Sequence, residues 1–314
     1  MKKNLILFSI LVLVFSGCSG YLYVNNPPLE FSDFDYGFTT KKAMNNPAIS
    51  FIDEGQGDKT IILVHGLASN AGFWRYNIAE LAKHYRVIAV DLPGYGKSEK
   101  GAFPYNMSFY ADQIKRLADE LNIKKFIYAG HSMGGQIGIT FALRHPEYLE
   151  KLVLASPAGI EAFKQGEGDW LRSVMTVSGV KNTTEEGIRR NLATNFYSWD
   201  PKWEWMVEER TRMAKAKEFD EFAYTVVRCV NGMLDEPTYD KLQGIKTPTL
   251  IVYGRYDGLI PNPYLHPGFP SDVFETGHQK IAGSQIHQID NAGHMLMIEQ
   301  PGEFTKTVTD FIGR

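Results

Sequence analysis

Five continuous apolar runs, set apart by segments of helical spacing, constrain this chain more than any other feature. "TIILVHG" at 60–66, "RVIAVDLPGYG" at 86–96, "KKFIYAG" at 124–130, "KLVLASPAG" at 151–159 and "TPTLIVYG" at 247–254 are rich in β-branched residues and stopped by glycine or proline. A strand with one wet face would alternate apolar and polar residues. An uninterrupted run instead suits a strand covered on both faces. Between the first four lie "FWRYNIAELAKHY", with Trp74, Ile78 and Leu81 at helical spacing, then "SFYADQIKRLADELNI" and "GQIGITFALRHPEYLE". Parallel neighbours need a long crossover, so strands alternating with helices at this spacing predict a mainly parallel α/β sheet flanked by helices. "SQIHQID" at 284–290 reads as a last strand and "PGEFTKTVTDFI" as a closing helix.

The alternation breaks between 159 and 241. This stretch reads as helical throughout, with charged faces such as "EEGIRR" and "VEERTRMAKAKEFDEF", and it carries Trp170, Trp199, Trp203 and Trp205. An insertion leaving a strand's carboxyl end is placed to cover a ligand site there, because open α/β sheets bind ligands at those ends. The expected organisation is a core from 33–158 and 242–314 with a helical cap at 159–241. The tryptophans with Met175, Met206 and Met213 suggest an apolar cap over acyl chains; packing within the cap is the competing reading.

The N-terminus, "MKKNLILFSILVLVFSGCSG", runs from two lysines through an apolar stretch into small residues, the pattern of an export signal over 1–17. The stretch is shorter than the ~20 residues a membrane span requires. Phe15, Ser16, Gly17 and Cys18 resemble a bacterial lipobox, in which cleavage precedes a cysteine that then carries lipid. A plain cleavable signal is the alternative. With Cys18 lipidated, the protein is expected in the bacterial cell envelope, anchored to a membrane; Ser19 favours the outer one if the host has two. Residues 18–32 are expected to be a linker. Cys229 is the second of two cysteines and sits in the apolar "YTVVRCVNGM", the context of a small buried hydrophobe. A net charge of −3 without blocks of like charge makes nucleic acid an unexpected partner, and no Cys/His spacing suggests a metal.

Gly130, Ser132 and Gly134 form G-x-S-x-G between a predicted strand and a predicted helix. That context gives the motif its meaning: a sharp strand-to-helix turn lifts the serine hydroxyl clear of the sheet, and flanking glycines avoid clashes. The helix starting there also offers free N–H groups. A free hydroxyl is a weak nucleophile, so a base and a group to orient it are needed. In this architecture they follow in the order acid, then histidine. Asp257 follows the strand "TLIVYG" after a short turn, and His294, in "NAGHMLMIEQP", follows the last strand in the same way. Glu161 and Asp290 are alternative acids. His65 opens a glycine turn, His84 and His145 lie at predicted helix ends, and His131 is expected to point away from the nucleophile. His266, His278 and His287 fall in or near a long loop and the final strand.

"VHGLASNAGFW", "DLPGYGKS", "GHSMGG", "YGRYDGLIP" and "NAGHMLMIEQP" resemble, in order and spacing, the α/β-hydrolases of the lipase and esterase type from about residue 49 to the end. Within them the chain is similar to the bacterial lipolytic family V and to monoacylglycerol lipases. The resemblance implies the α/β-hydrolase fold with an inserted helical cap, and an oxyanion hole from the backbone N–H groups of Leu67 and Met133. It also implies cofactor-free hydrolysis of small-molecule or lipid esters through an acyl-enzyme. A carbon–carbon bond hydrolase of ring-cleavage products keeps the same serine and is the enzymatic alternative. A non-catalytic surface lipoprotein is the alternative of another class.

Overall fold

The computed structural model describes residues 22–44 and 46–313; the expected export signal and Cys18 lie outside them. Eight strands form one sheet: β1 (Thr40–Ala43), β2 (Ile49–Glu54), β3 (Thr60–Val64), β4 (Arg86–Val90), β5 (Phe126–His131), β6 (Leu149–Ala155), β7 (Thr249–Gly254) and β8 (Gln285–Ile289). Their order is β1-β2-β4-β3-β5-β6-β7-β8, antiparallel for β1–β2 and β2–β4 and parallel thereafter. Every residue of β3, β5 and β7 is buried, which is why those strands read as unbroken apolar runs.

Helix α1 (Arg75–Leu81) carries the chain from β3 to β4. Helices α2 (Met107–Glu120) and α3 (Met133–Arg144) connect β4 to β5 and β5 to β6 in the opposite direction across the sheet. Crossovers of one hand running in opposite directions fall on opposite faces. The strand order therefore reverses between β3 and β5, and a crevice opens beyond their carboxyl ends. Residues 65–70 and Ser132 stand at that crevice.

Between β6 and β7 lie α4 (Gln165–Val174), α5 (Val177–Lys181), α6 (Glu185–Ala193), α7 (Trp205–Met213) and α8 (Phe219–Asp235). The described part of the expected linker, 22–32, is docked on this cap: the amides of Leu22, Tyr23 and Val24 donate to the Glu185 carboxylate at 2.8, 2.9 and 3.0 Å. The long loop after Asp257 contains a further helix, α9 (Pro270–Lys280), and the chain ends in α10 (Leu296–Glu299) and α11 (Pro301–Gly313). Pro270 takes the first helical turn, where its missing N–H costs nothing, and Asp272 accepts from the Phe269 amide. The surrounding Gly and Pro residues hide this helix from a pattern reading.

Candidate active site

Ser132 stands between β5 and α3 with φ 53° and ψ −118°, a conformation that side chains disfavour. The turn is tight because the chain on either side is close. A Cβ on Gly130 would meet the Gly134 carbonyl oxygen at 2.2 Å, and one on Gly134 the Val64 oxygen at 2.4 Å. The two motif glycines are therefore required by contact. Met133 opens α3, where a backbone N–H has no partner inside the helix.

The structure brings Asp257 and His294 together from the ends of β7 and β8. Nδ1 of His294 lies 2.8 Å from Oδ2 of Asp257, and the two side chains are 3% and 0% exposed. The other carboxylate oxygen accepts from the amides of Leu259 and Ile260 at 2.9 and 3.1 Å. Burial works to raise the Asp257 carboxyl, but the facing His294 and the Leu259 amide outweigh it and hold the group below its ordinary value. A carboxylate can only accept, so a proton sits on His294 Nδ1, and in the neutral imidazole Nε2 is the atom with the free lone pair. The alternative acids are engaged elsewhere: Glu161 with His266 at 2.5 Å, and Asp290 with Arg255 at 3.3 Å.

Ser132, His294 and Leu67 open into one cavity of about 860 Å³ roofed by the cap. That is toward the upper end of the ~300–1,000 Å³ usual for ligand sites. Its walls are largely apolar, including Leu171, Met175, Ile188, Phe219, Val226 and Met233. None of the four cap tryptophans lines the cavity: Trp203 stacks on Phe196 with centroids 4.4 Å apart, Trp199 meets the same Phe196 edge-on, Trp205 packs against Phe73 and beneath Arg75, and Trp170 is exposed beside Tyr264.

A model of the alpha/beta hydrolase fold family matches residues 59–301. The chain belongs to that family. It is 29% identical over 275 residues to a 2-hydroxy-6-oxononadienedioate/2-hydroxy-6-oxononatrienedioate hydrolase of Escherichia coli, a match covering 85% of this chain and 91% of that relative. It is 26% identical over 274 residues to the hydrolase YugF of Bacillus subtilis, covering 82% and 92%. Among solved structures it is similar to a "probable hydrolytic enzyme" from Pseudomonas aeruginosa, with TM-score 0.79, 25% identity, and coverage of 91% of this chain and 98% of that one. Hydrolysis is thus the chemistry of this alpha/beta hydrolase's setting.

Two further histidines of this hydrolase shape the site. The Leu92 amide donates to His65 Nε2 at 3.1 Å, so the proton is on Nδ1, which donates to the Gly66 carbonyl at 2.7 Å. In a trans peptide the C=O and the following N–H point opposite ways. Holding Gly66 O therefore aims the Leu67 N–H away from His65. His131 does not point away from the machinery: its ring lies 4.7 Å from that of His294, and its Nε2 donates to the His294 carbonyl at 2.9 Å. This contact joins chain positions 163 residues apart, and no local pattern reports it. Glu299 is a similar case, accepting from the amides of Gly293 at 2.6 Å and the cap's Tyr197 at 2.8 Å.

Both imidazoles stay neutral in the folded state. Burial pushes His65 down to about 4, and burial with His294 alongside pushes His131 down to about 3. An unfolded imidazole takes up its proton near ~6.5. The stability these groups allow is therefore complete above that pH and falls as pH drops from it toward the two folded values. At ~1.4 kcal/mol per pH unit for each ring, the pair should remove on the order of 4 kcal/mol by about pH 5. Melting temperatures measured from pH 7 downward should show this loss, and His131→Asn should flatten about half of the slope. An unchanged slope in that variant would contradict the assignment.

Proposed function

We propose that this hydrolase cleaves carboxylic esters, with acyl glycerols or other lipid-like esters as the substrate class, through a Ser132–His294–Asp257 triad and an acyl-enzyme. The observation that carries the reading is the buried His294–Asp257 pair at 2.8 Å, whose histidine shares with the strained Ser132 turn a largely apolar cavity of about 860 Å³. His294 Nε2 takes the Ser132 proton as the oxygen attacks the ester carbonyl, and Asp257 stabilises the imidazolium. The Leu67 and Met133 N–H groups hold the developing oxyanion. His294 then gives its proton to the leaving alcohol, and water releases the acid by the same route. An apolar chamber of this size suits an acyl chain better than a highly charged molecule.

Cys18 and its lipid would hold the enzyme on the envelope membrane, each acyl methylene contributing ~0.8 kcal/mol. Among the described residues no helix is long and apolar enough to cross a membrane. Carbon–carbon bond hydrolysis is the second reading, favoured by the name of the E. coli relative.

The two are separated by assaying p-nitrophenyl esters from acetyl to palmitoyl beside a ring-cleavage 2-hydroxy-6-oxo-dienoate, each with wild type and Ser132→Ala. Serine-dependent ester turnover, improving as the acyl chain lengthens from acetyl, is expected. Cleavage of the dienoate with no turnover of any ester would overturn the proposal.

A further inference from the structure

The loop that carries the Leu67 amide is held from two sides. On the core side stand His65, and Asp91, whose carboxylate accepts from the Ala71 amide at 2.8 Å. The other side is the cap. Two consecutive residues of α7 reach the loop: Arg210 donates to the Ala68 carbonyl, and Glu209 accepts from the Asn70 side-chain amide at 2.8 Å. Asn70 in turn accepts from the Gly72 amide at 2.9 Å and so caps the turn that follows. Ala68 is left-handed, with φ 53°, a conformation that side chains adopt only where surroundings enforce it. The Arg210 bond falls on that residue.

Helix α7 is itself gripped by the N-terminal arm. Arg212 Nε donates to the Pro27 carbonyl at 3.0 Å, the Leu29 amide to the Arg212 carbonyl at 3.3 Å, and Lys215 Nζ, just past the helix, to the carbonyls of Val24 and Asn26. Arm, helix and loop converge around a void of about 10 Å³ bounded by Phe31 and Phe34, Glu209 and Arg210, and Ala68 and Asn70. A space of that size holds about one water at most, so displacement of one wall is passed to the others.

We propose that Arg210 and Glu209 are positioning residues that hold the Leu67 amide in place from the cap, with the N-terminal arm bracing the helix on which they stand. This rests on the ester-hydrolase reading only in giving the Leu67 amide its role as oxyanion donor. The cap then completes the machinery of the core, and the arm that leads toward Cys18 is part of the same brace. Arg210 also lines the cavity, so the rival role is direct binding of a substrate carboxylate.

The test uses the full chain with Arg210→Met, Arg210→Lys and Glu209→Ala. Three readouts are taken: the rate of Ser132 labelling by an alkyl fluorophosphonate, kcat and KM on uncharged p-nitrophenyl esters and on one bearing a free carboxylate, and inhibition by an alkyl boronic acid, whose tetrahedral adduct occupies the oxyanion position. Displacing a reacting group by ~1 Å can cost ~10²-fold, and losing one oxyanion donor ~10²- to 10³-fold. Arg210→Met should therefore lower labelling rate and kcat by about 10- to 100-fold, with KM within about twofold and the boronate constant raised in step. Arg210→Lys should recover much of the loss, and the double variant Arg212→Ala, Lys215→Ala should reproduce it in weaker form. A folded Arg210→Met with unchanged labelling and kcat overturns the proposal, as does a loss confined to KM for esters bearing a free carboxylate. If Arg210→Met does not fold, Glu209→Ala carries the same comparison. Wild type that labels at Ser132 but turns over no ester overturns the ester reading alone, and the labelling rates still decide this one.

Discussion

Ser132→Gly is expected to melt at a higher temperature than the wild type while losing turnover, and Ser132→Ala to lose turnover with little change in stability. The backbone at φ 53°, ψ −118° excludes comfortable placement of any Cβ. Strain of this kind costs ~1–3 kcal/mol. Alanine keeps the Cβ and hence the strain. Glycine removes it, at an entropic cost in the unfolded chain of ~0.5–1 kcal/mol. The net gain is about 1 kcal/mol, a rise of roughly 1.5 °C for a chain of this size. Turnover of a p-nitrophenyl ester should fall by on the order of 10⁶-fold in both variants, since the proposed mechanism takes its attacking oxygen from Ser132. Calorimetry and the ester assay on the same preparations check both halves. Residual activity near wild type in Ser132→Ala would end the nucleophile assignment, and a Ser132→Gly no more stable than Ser132→Ala would mean that the turn stores no strain.

What the sequence makes legible here follows from how local each cause is. β3, β4, β5, β6 and β7 announce themselves because burial on both faces leaves a continuous apolar run, and the helical periods between them fix the parallel order. β1, "TKKA", does not: it is a four-residue edge strand whose exposed Lys41 and Lys42 discourage pairing with another chain. α9 is masked by the Gly and Pro residues around its start. Ser132, Asp257 and His294 are legible because each follows a strand's carboxyl end, so chain position alone brings them to one edge. Arg210, Glu209 and Glu299 are not, because what they do depends on contacts between segments far apart in sequence. The docking of 22–32 on the cap is of the same kind. A polar stretch after a signal reads as linker, and only the Glu185, Arg212 and Lys215 partners reveal that it is held.

Those same distinctions predict unequal costs for removing acids that look interchangeable in sequence. Asp257→Asn should lower kcat by about 10⁴-fold with the fold retained. The new side chain can still accept from the Leu259 and Ile260 amides through its oxygen. Its NH₂ then faces His294 Nδ1 as a donor, which forces the imidazole proton to Nε2. The base would present a hydrogen to Ser132 instead of a lone pair, and the cation formed on proton transfer would lose its facing charge. Glu161→Gln removes a carboxylate bonded to His266 and the Asn262 amide, and Asp290→Asn one paired with Arg255 at the surface. Neither touches His294, so each should leave kcat within a few-fold of wild type. Steady-state kinetics of the three variants on one ester are the measurement. A comparable collapse in Glu161→Gln would move the acid's role to the cap and undo the assignment of Asp257, because one imidazole Nδ1 can be oriented by only one of them.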